Sequence, residues 1–229
     1  MKKTFLKFAV AIAAVAFIGV SCTEDDITNP TITITGSAAV TIDLGDTYTD
    51  AGATANDDKD GDLTSQITTT GTVDVNKVGI YEIEYTVSDE AGNTTTETRT
   101  VTVQANRLAG SYNVSCVITG AGAGNYNFVE VVTGSSVNYN YIYFADFCGF
   151  PGLQVQGTVS GAGITFNQTK NYDWDDDGTA TDATITGSTL SAFTVTAGAT
   201  PIAALSSLTY VIDYGASQMD NCTSTYTKQ

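Results

Sequence analysis

From residue 29 onward the chain is written in short alternating runs, and a period of two is the signature of extended strands. Thr31-Ile32-Thr33-Ile34-Thr35 sets isoleucines against threonines, and Ala39 to Leu44 does the same before a glycine. Gly79 to Val87 is the clearest case: Tyr81, Ile83, Tyr85 and Val87 share one face, Ile80, Glu82, Glu84 and Thr86 the other. Thr, Val, Ile and Tyr fill these runs, and Gly, Asp, Asn and Ser break them, which is strand-and-turn chemistry. Helix signals are nearly absent, so the expected fold class is all-β.

The first 22 residues read as an export leader. Lys2, Lys3 and Lys7 precede an uncharged apolar run from Phe8 to Val20, too short to span a bilayer, and Gly19-Val20-Ser21-Cys22 closes it. A cysteine directly after a small residue resembles the lipobox of bacterial lipoproteins, with Gly19 where that pattern has Leu. The resemblance implies acylation of Cys22 and attachment to a membrane by more than one lipid chain, as stable anchoring requires. Thr23-Glu24-Asp25-Asp26 resembles the surface-export signal of Bacteroidota lipoproteins, so the expected location is the outer membrane, cell-surface side.

Charge and composition remove whole classes of function. The chain has 9 Lys and Arg against 25 Asp and Glu, and without the leader lysines it stands at −19. Such a surface repels phosphate backbones, so no nucleic-acid partner is expected. There is no histidine, which excludes Ser–His–Asp, Cys–His and zinc–histidine chemistry. Carboxylate-only hydrolysis survives that test, but no convincing pair presents itself, and the expectation is a non-enzyme that requires no cofactor.

Residues 23–28 form an acidic linker and residues 29–105 a first domain. Gly45-x-x-Tyr48-x-Asp50-x-Gly52-Ala53, Asp60-Gly61-Asp62-Leu63-Thr64, Val78-Gly79-x-Tyr81 and Asp89-x-Ala91-Gly92-Asn93 recur in that order. Together they resemble the bacterial Ig-like domain found in many Bacteroidota lipoproteins and in a pesticidal crystal protein. The resemblance implies an Ig-like β-sandwich that serves as a spacer or recognition module and has no shared catalytic residues.

Residues 108–229 form a second domain. Its candidate strands are 111–119, 125–133, 137–144, 153–160, 164–168, 183–186, 190–196, 208–214 and 222–227. Gly134-Ser135-Ser136-Val137, Gly161-Ala162-Gly163-Ile164 and Gly187-Ser188-Thr189-Leu190 share one form and read as recurrent hairpin turns. A hairpin series without helices is expected to close into an antiparallel meander barrel, with an open sandwich as the alternative. The opening Leu108-Ala109-Gly110-Ser111-Tyr112 and the closing Cys222-Thr223-Ser224-Thr225-Tyr226-Thr227 loosely resemble the outer strands of lipocalin-like domains.

Four groups of residues are candidates for chemistry. Cys116, Cys148 and Cys222 allow one disulfide. Antiparallel closure of first and last strands favours Cys116–Cys222, with Cys148–Cys222 next and three reduced thiols as the alternative. Asp173, Asp175 and Asp177 open a D-x-D-x-D-G calcium loop, although Thr184 stands where a bidentate Glu is needed. Asn56 to Asp62 is a second acidic loop, read as a turn. Tyr139, Tyr141 and Tyr143 fall on one face of a strand and form either a ligand platform or a filled interior. Trp174 adds a plausible sugar contact.

Two readings of function follow. In the first, a lipid-anchored surface protein binds or adheres through its C-terminal β-domain, to a glycan or a surface protein, with the Ig-like domain as spacer. In the second, a calycin-like carrier holds a small apolar ligand in the barrel, with the three tyrosines pointing inward. A filled interior separates the first from the second.

Overall fold

A computed structural model describes residues 25–174, 178–196 and 202–229. Cys22, Asp175 and Asp177 lie outside the described residues.

The first domain is a two-sheet sandwich. Strands β1 (Thr31–Ile34), β3 (Ala53–Asp57) and β4 (Gly61–Asp62) make one sheet. Strands β2 (Ala39–Asp43), β7 (Thr94–Gln104), β6 (Gly79–Ser88) and β5 (Thr68–Thr70) make the other, with β2 parallel to β7. The alternation in β6 has its expected result: Ile83, Tyr85 and Val87 are buried and pack with Ile32, Ala55, Leu63 and Val101.

The motif residues around Asp50 hold the two sheets together. Arg99, 2% exposed, sits in the core and forms an ion pair with Asp50. Its guanidinium also donates to the carbonyls of Thr35 (2.6 Å) and Gly52 (3.1 Å). The Tyr48 and Tyr85 hydroxyls donate to Asp50 at 2.9 and 2.7 Å. Burial works against a charge on Asp50, but the hydrogen bonds from Tyr85 and Tyr48 and the Arg99 charge hold it below the ordinary carboxylate range.

The second domain is a closed barrel of eight antiparallel strands in meander order. These are β8 (Gly110–Gly120), β9 (Gly124–Gly134), β10 (Tyr141–Phe144), β11 (Val155–Ser160), β12 (Gly163–Tyr172), β13 (Thr181–Thr189), then β16 (Ser207–Gly215) and β17 (Gln218–Lys228). β17 pairs with β8 and closes the cylinder. Between β13 and β16 the chain makes a separate hairpin of β14 (Phe193–Thr196) and β15 (Ile202–Leu205). The expected barrel strand at 190–196 is therefore half of this hairpin.

The recurrent glycine motif does not mark equivalent turns. Gly161 sits in the β11–β12 turn at φ +59°. Gly187 lies inside β13, where a Cβ would meet the Thr209 carbonyl oxygen at 2.5 Å and the Tyr210 Cα at 2.7 Å. Its role is close backbone approach rather than a turn.

In an antiparallel meander, alternate connections lie at opposite ends of the barrel. The β9–β10 and β11–β12 connections, the β14–β15 hairpin and both domain termini share one end, here called the base. The Ig-like domain joins there. Val78 and Gly161 exchange two backbone hydrogen bonds (2.9 and 3.0 Å), and the Ala105 N–H donates to the Tyr139 carbonyl at 2.7 Å. Leu44, Val78, Val103 and Ala105 belong to the same buried cluster as the barrel interior. The hairpin contributes Phe193, Ala203 and Leu205 to that cluster.

The barrel interior is filled. Tyr112, Phe144, Phe147, Phe166, Tyr210 and Tyr226 are all buried, and successive rings touch at centroid distances of 4.6 to 6.1 Å.

Candidate functional site

The other end of the barrel, formed by the β8–β9, β10–β11, β12–β13 and β16–β17 connections, is open. A cavity of about 640 Å³ lies there, lined by Ile118, Tyr126, Phe150, Trp174, Tyr214 and Asp220 among others. Its floor is the short 3-10 turn Phe147–Gly149, which folds inward after β10. Phe147 drops into the aromatic interior, and Cys148 reaches the cavity above it.

One wall is lined by the half-buried rings of Phe150, Trp174 and Tyr214, and Tyr172 packs against Trp174 to complete the set. Phe150, Tyr172 and Tyr214 each lie 5.3 Å from the indole, edge-on. Edge-on ring contacts are favourable and give such a wall a defined shape. The indole N–H donates to the Thr181 carbonyl at 2.9 Å, and the Tyr172 hydroxyl donates to the Pro151 carbonyl at 2.8 Å. The first bond closes the β12–β13 hairpin, and the second ties β12 to the β10–β11 connection.

Beside the rings is a fixed acceptor. Asp220, 3% exposed, accepts from the Gly122 N–H at 2.7 Å and the Tyr214 hydroxyl at 3.0 Å. Burial, followed by this bond to a carboxylate, raises the Tyr214 phenol well above its ordinary range, so it stays neutral and donating. Gln218, Thr179 and Thr181 add polar atoms at the rim. Apolar rings beside a few oriented polar groups are the usual make-up of a small-ligand site.

Of the residues singled out from sequence, only Trp174 stands in the ring wall of this cavity. Tyr141 and Tyr143 alternate with buried Ile142 and Phe144 on β10 and face outward from the barrel. Tyr139 precedes the strand, near the base, with its side chain partly buried against the core. The inward tyrosine row required by the carrier reading is absent from β10, because the register turns Ile142 and Phe144 to the inside. Asp173 accepts from the Gly178 N–H at 2.8 Å.

The second acidic loop does bring carboxylates together. Those of Asp26, Asp57 and Asp58 lie within 4.8 Å of one another. Asp57 is buried, and its Oδ2 has no hydrogen-bond partner among the described residues. Its other oxygen accepts from the backbone N–H groups of Lys59 and Asp60 at 2.9 and 3.1 Å, and Lys59 lies 3.8 Å from Asp26.

The three cysteines are free thiols, and the expected Cys116–Cys222 disulfide is not formed. Register explains this. Cys116 stands opposite Ser224, and Cys222 opposite Ile118, so the two cysteines are diagonal neighbours. Diagonal pairs stand about 7–8 Å apart, beyond the usual Cα separation of a disulfide. The sulfurs still converge with Cys148 beneath the cavity: Cys116 and Cys148 are 3.9 Å apart, and all three fall within 4.8 Å. Hydrogen bonding with Cys148 and Cys222 holds the Cys116 thiol well below its ordinary range, and the bond with Cys116 pushes each of the other two up.

Deeper in the barrel, Glu130 is completely buried on β9. One oxygen accepts from the Asp146 N–H at 2.9 Å, and the other has no partner among the described residues. Burial pushes its carboxyl up to about 7.

Comparison with known proteins decides the nature of the sandwich. Residues 32–103 match the family described as bacterial surface protein, Ig-like domain. This Ig-like domain covers the two sheets described above. Three solved structures also resemble the chain. A lipoprotein from Bacteroides thetaiotaomicron is 20% identical with a TM-score of 0.33, over 87% of this chain and 100% of that one. The CBM51-2 and INT domains of ZmpB from Clostridium perfringens, solved with GlcNAc, are 13% identical with a TM-score of 0.28, over 86% of this chain and 44% of that one. A longer ZmpB structure, holding the M60 catalytic domain with CBM51-1 and CBM51-2, gives 15% and 0.29, over 86% of this chain and 21% of that one. At these TM-scores the likeness establishes neither a shared fold nor a shared ligand. No curated protein matches the sequence.

Phe150, Tyr172, Tyr214 and Asp220 were not singled out from sequence. A signal existed for one of them: Tyr172 stands two residues before Trp174 at the end of a strand, so the two share a face. Phe150 lies in the β10–β11 connection and Tyr214 at the end of β16, and only barrel closure brings them to the same wall.

Proposed function

We propose that the chain is a lipid-anchored surface protein, attached through Cys22, that binds a neutral glycan in the distal mouth of its barrel and performs no catalysis. The observation that carries the reading is the Trp174 ring wall with Asp220 held beside it, both lining an open cavity of about 640 Å³. Sugar rings present C–H groups that pack on the electron-rich faces of aromatic rings and hydroxyls that donate to a fixed carboxylate. The acidic surface tolerates neutral glycans and repels anionic polymers. An Ig-like domain of the bacterial surface type, joined at the opposite end, leaves the mouth facing outward. The packed barrel axis leaves the carrier reading without an inner chamber for its ligand.

The test is a glycan-array screen of the full chain and its Trp174→Ala variant, run with calcium and with chelator. Wild type retains a discrete set of neutral glycans. Truncating a central aromatic anchor costs about 2 kcal/mol or more, a loss of about 30-fold in affinity. Chelator-sensitive binding would add a calcium requirement. Equal binding by both proteins would refute the site, and binding of apolar dyes with no glycan retained would favour the carrier.

A further inference from the structure

The three thiols beneath the cavity are arranged as a ligand set rather than as a disulfide with a spare. They come from three separated segments, β8, the Phe147–Gly149 turn and β17, and their side chains are all buried. Cys148 sits at φ +59°, in the left-handed region that non-glycine residues avoid, although Gly149 follows it directly. Backbone strain of this kind costs of order 1–3 kcal/mol and persists where the surroundings enforce it. It is this conformation that belongs to the residue aimed at Cys116 and Cys222.

We propose that Cys116, Cys148 and Cys222 bind a thiophilic divalent d¹⁰ cation, of the Zn²⁺ or Cd²⁺ class, as a three-thiolate site whose fourth position faces the cavity. Zinc–sulfur bonds of about 2.3 Å place neighbouring sulfurs of a tetrahedron about 3.8 Å apart. The Cys116–Cys148 separation is 3.9 Å, and the third sulfur falls within 4.8 Å of both. Outer partners are also present: the Tyr210 hydroxyl lies 3.9 Å from the Cys116 sulfur and 2.9 Å from the Ser224 hydroxyl. Such donors orient thiolates and spread their charge. The entry path is the cavity itself, which Cys148 lines. Binding is not a redox step: one M²⁺ displaces three thiol protons to solvent and leaves a complex of net charge −1. The inference is independent of whether the cavity takes a glycan.

The test uses the full chain, purified reduced and without oxygen, and titrated with Cd²⁺. The expected result is a sulfur-to-metal charge-transfer band that saturates at one equivalent, with protection of all three thiols from an alkylating reagent in the folded protein. Tyr210→Phe keeps every sulfur and is expected to weaken Cd²⁺ about 10- to 100-fold. Single Cys→Ser variants should lose the one-equivalent endpoint, and circular dichroism checks that each retains its strands. A folded, fully reduced wild type without the band overturns the proposal. An intact mass two hydrogens lighter, with two of the three thiols linked in the protein as isolated from its host, overturns it as well.

Discussion

Replacing Glu130 with Gln should make the protein more stable at alkaline pH and leave acid stability nearly unchanged. The carboxyl titrates at about 7 in the folded chain against an ordinary 4.5, because it is wholly buried. A raised carboxyl favours the folded state fully only below its unfolded value. Between 4.5 and 7 the folded protein holds more protons than the unfolded one, so stability falls as pH rises through that window. The shift corresponds to about 3 kcal/mol, lost by pH 8. Gln keeps the oxygen that accepts from the Asp146 N–H and removes the charge. Urea unfolding of both proteins at pH 4 and pH 8.5 isolates the effect, since any fixed cost of the amide cancels between the two conditions. The expected gain of the variant from acid to alkali is up to about 3 kcal/mol, or about 10 °C in Tm. Parallel stability–pH curves for the two proteins would refute a neutral, buried Glu130.

Other substitutions test the two halves separately. Arg99→Met leaves Asp50 without its cation and should cost about 3–5 kcal/mol, read as a lower urea midpoint for the Ig-like domain. Gly187→Ala pushes a methyl against the Thr209 carbonyl and the Tyr210 backbone and should destabilise the barrel by about 1–3 kcal/mol. Gly161→Ala meets no atoms within 4 Å but must hold φ +59°, and its smaller cost, about 1 kcal/mol, should separate strain from clash in the same thermal assay.

Strands that alternate cleanly were legible in the sequence. β6 and β8 present their buried residues at every second position, and that pattern depends only on local pleating. The Gly45–Ala53 motif was recognisable, but its purpose was not, because Arg99 lies about 50 residues away and reads as one more polar position on a strand. The expected 137–144 strand shortened to four residues because Val137 and Tyr139 remain in the connection at the base. The β14–β15 hairpin was missed as a hairpin because Ile202-Ala203-Ala204-Leu205 shows no alternation. Of the four rings only Trp174 was singled out, by its rarity; Tyr172 gains meaning beside it, and Phe150 and Tyr214 only when the β10–β11 connection and the ends of β12 and β16 meet.

The continuous packing between sandwich and barrel turns the pair into a stiff strut. With strands of 11 residues tilted some 35–45°, the cylinder adds roughly 25–30 Å of height beyond the joint. A ligand-bearing tip on a strut sweeps little volume, so it gives up little orientational freedom on capture. Many copies standing on one surface would therefore present their mouths at a common height, and a polymer long enough to span two of them would be held far more tightly than by either alone.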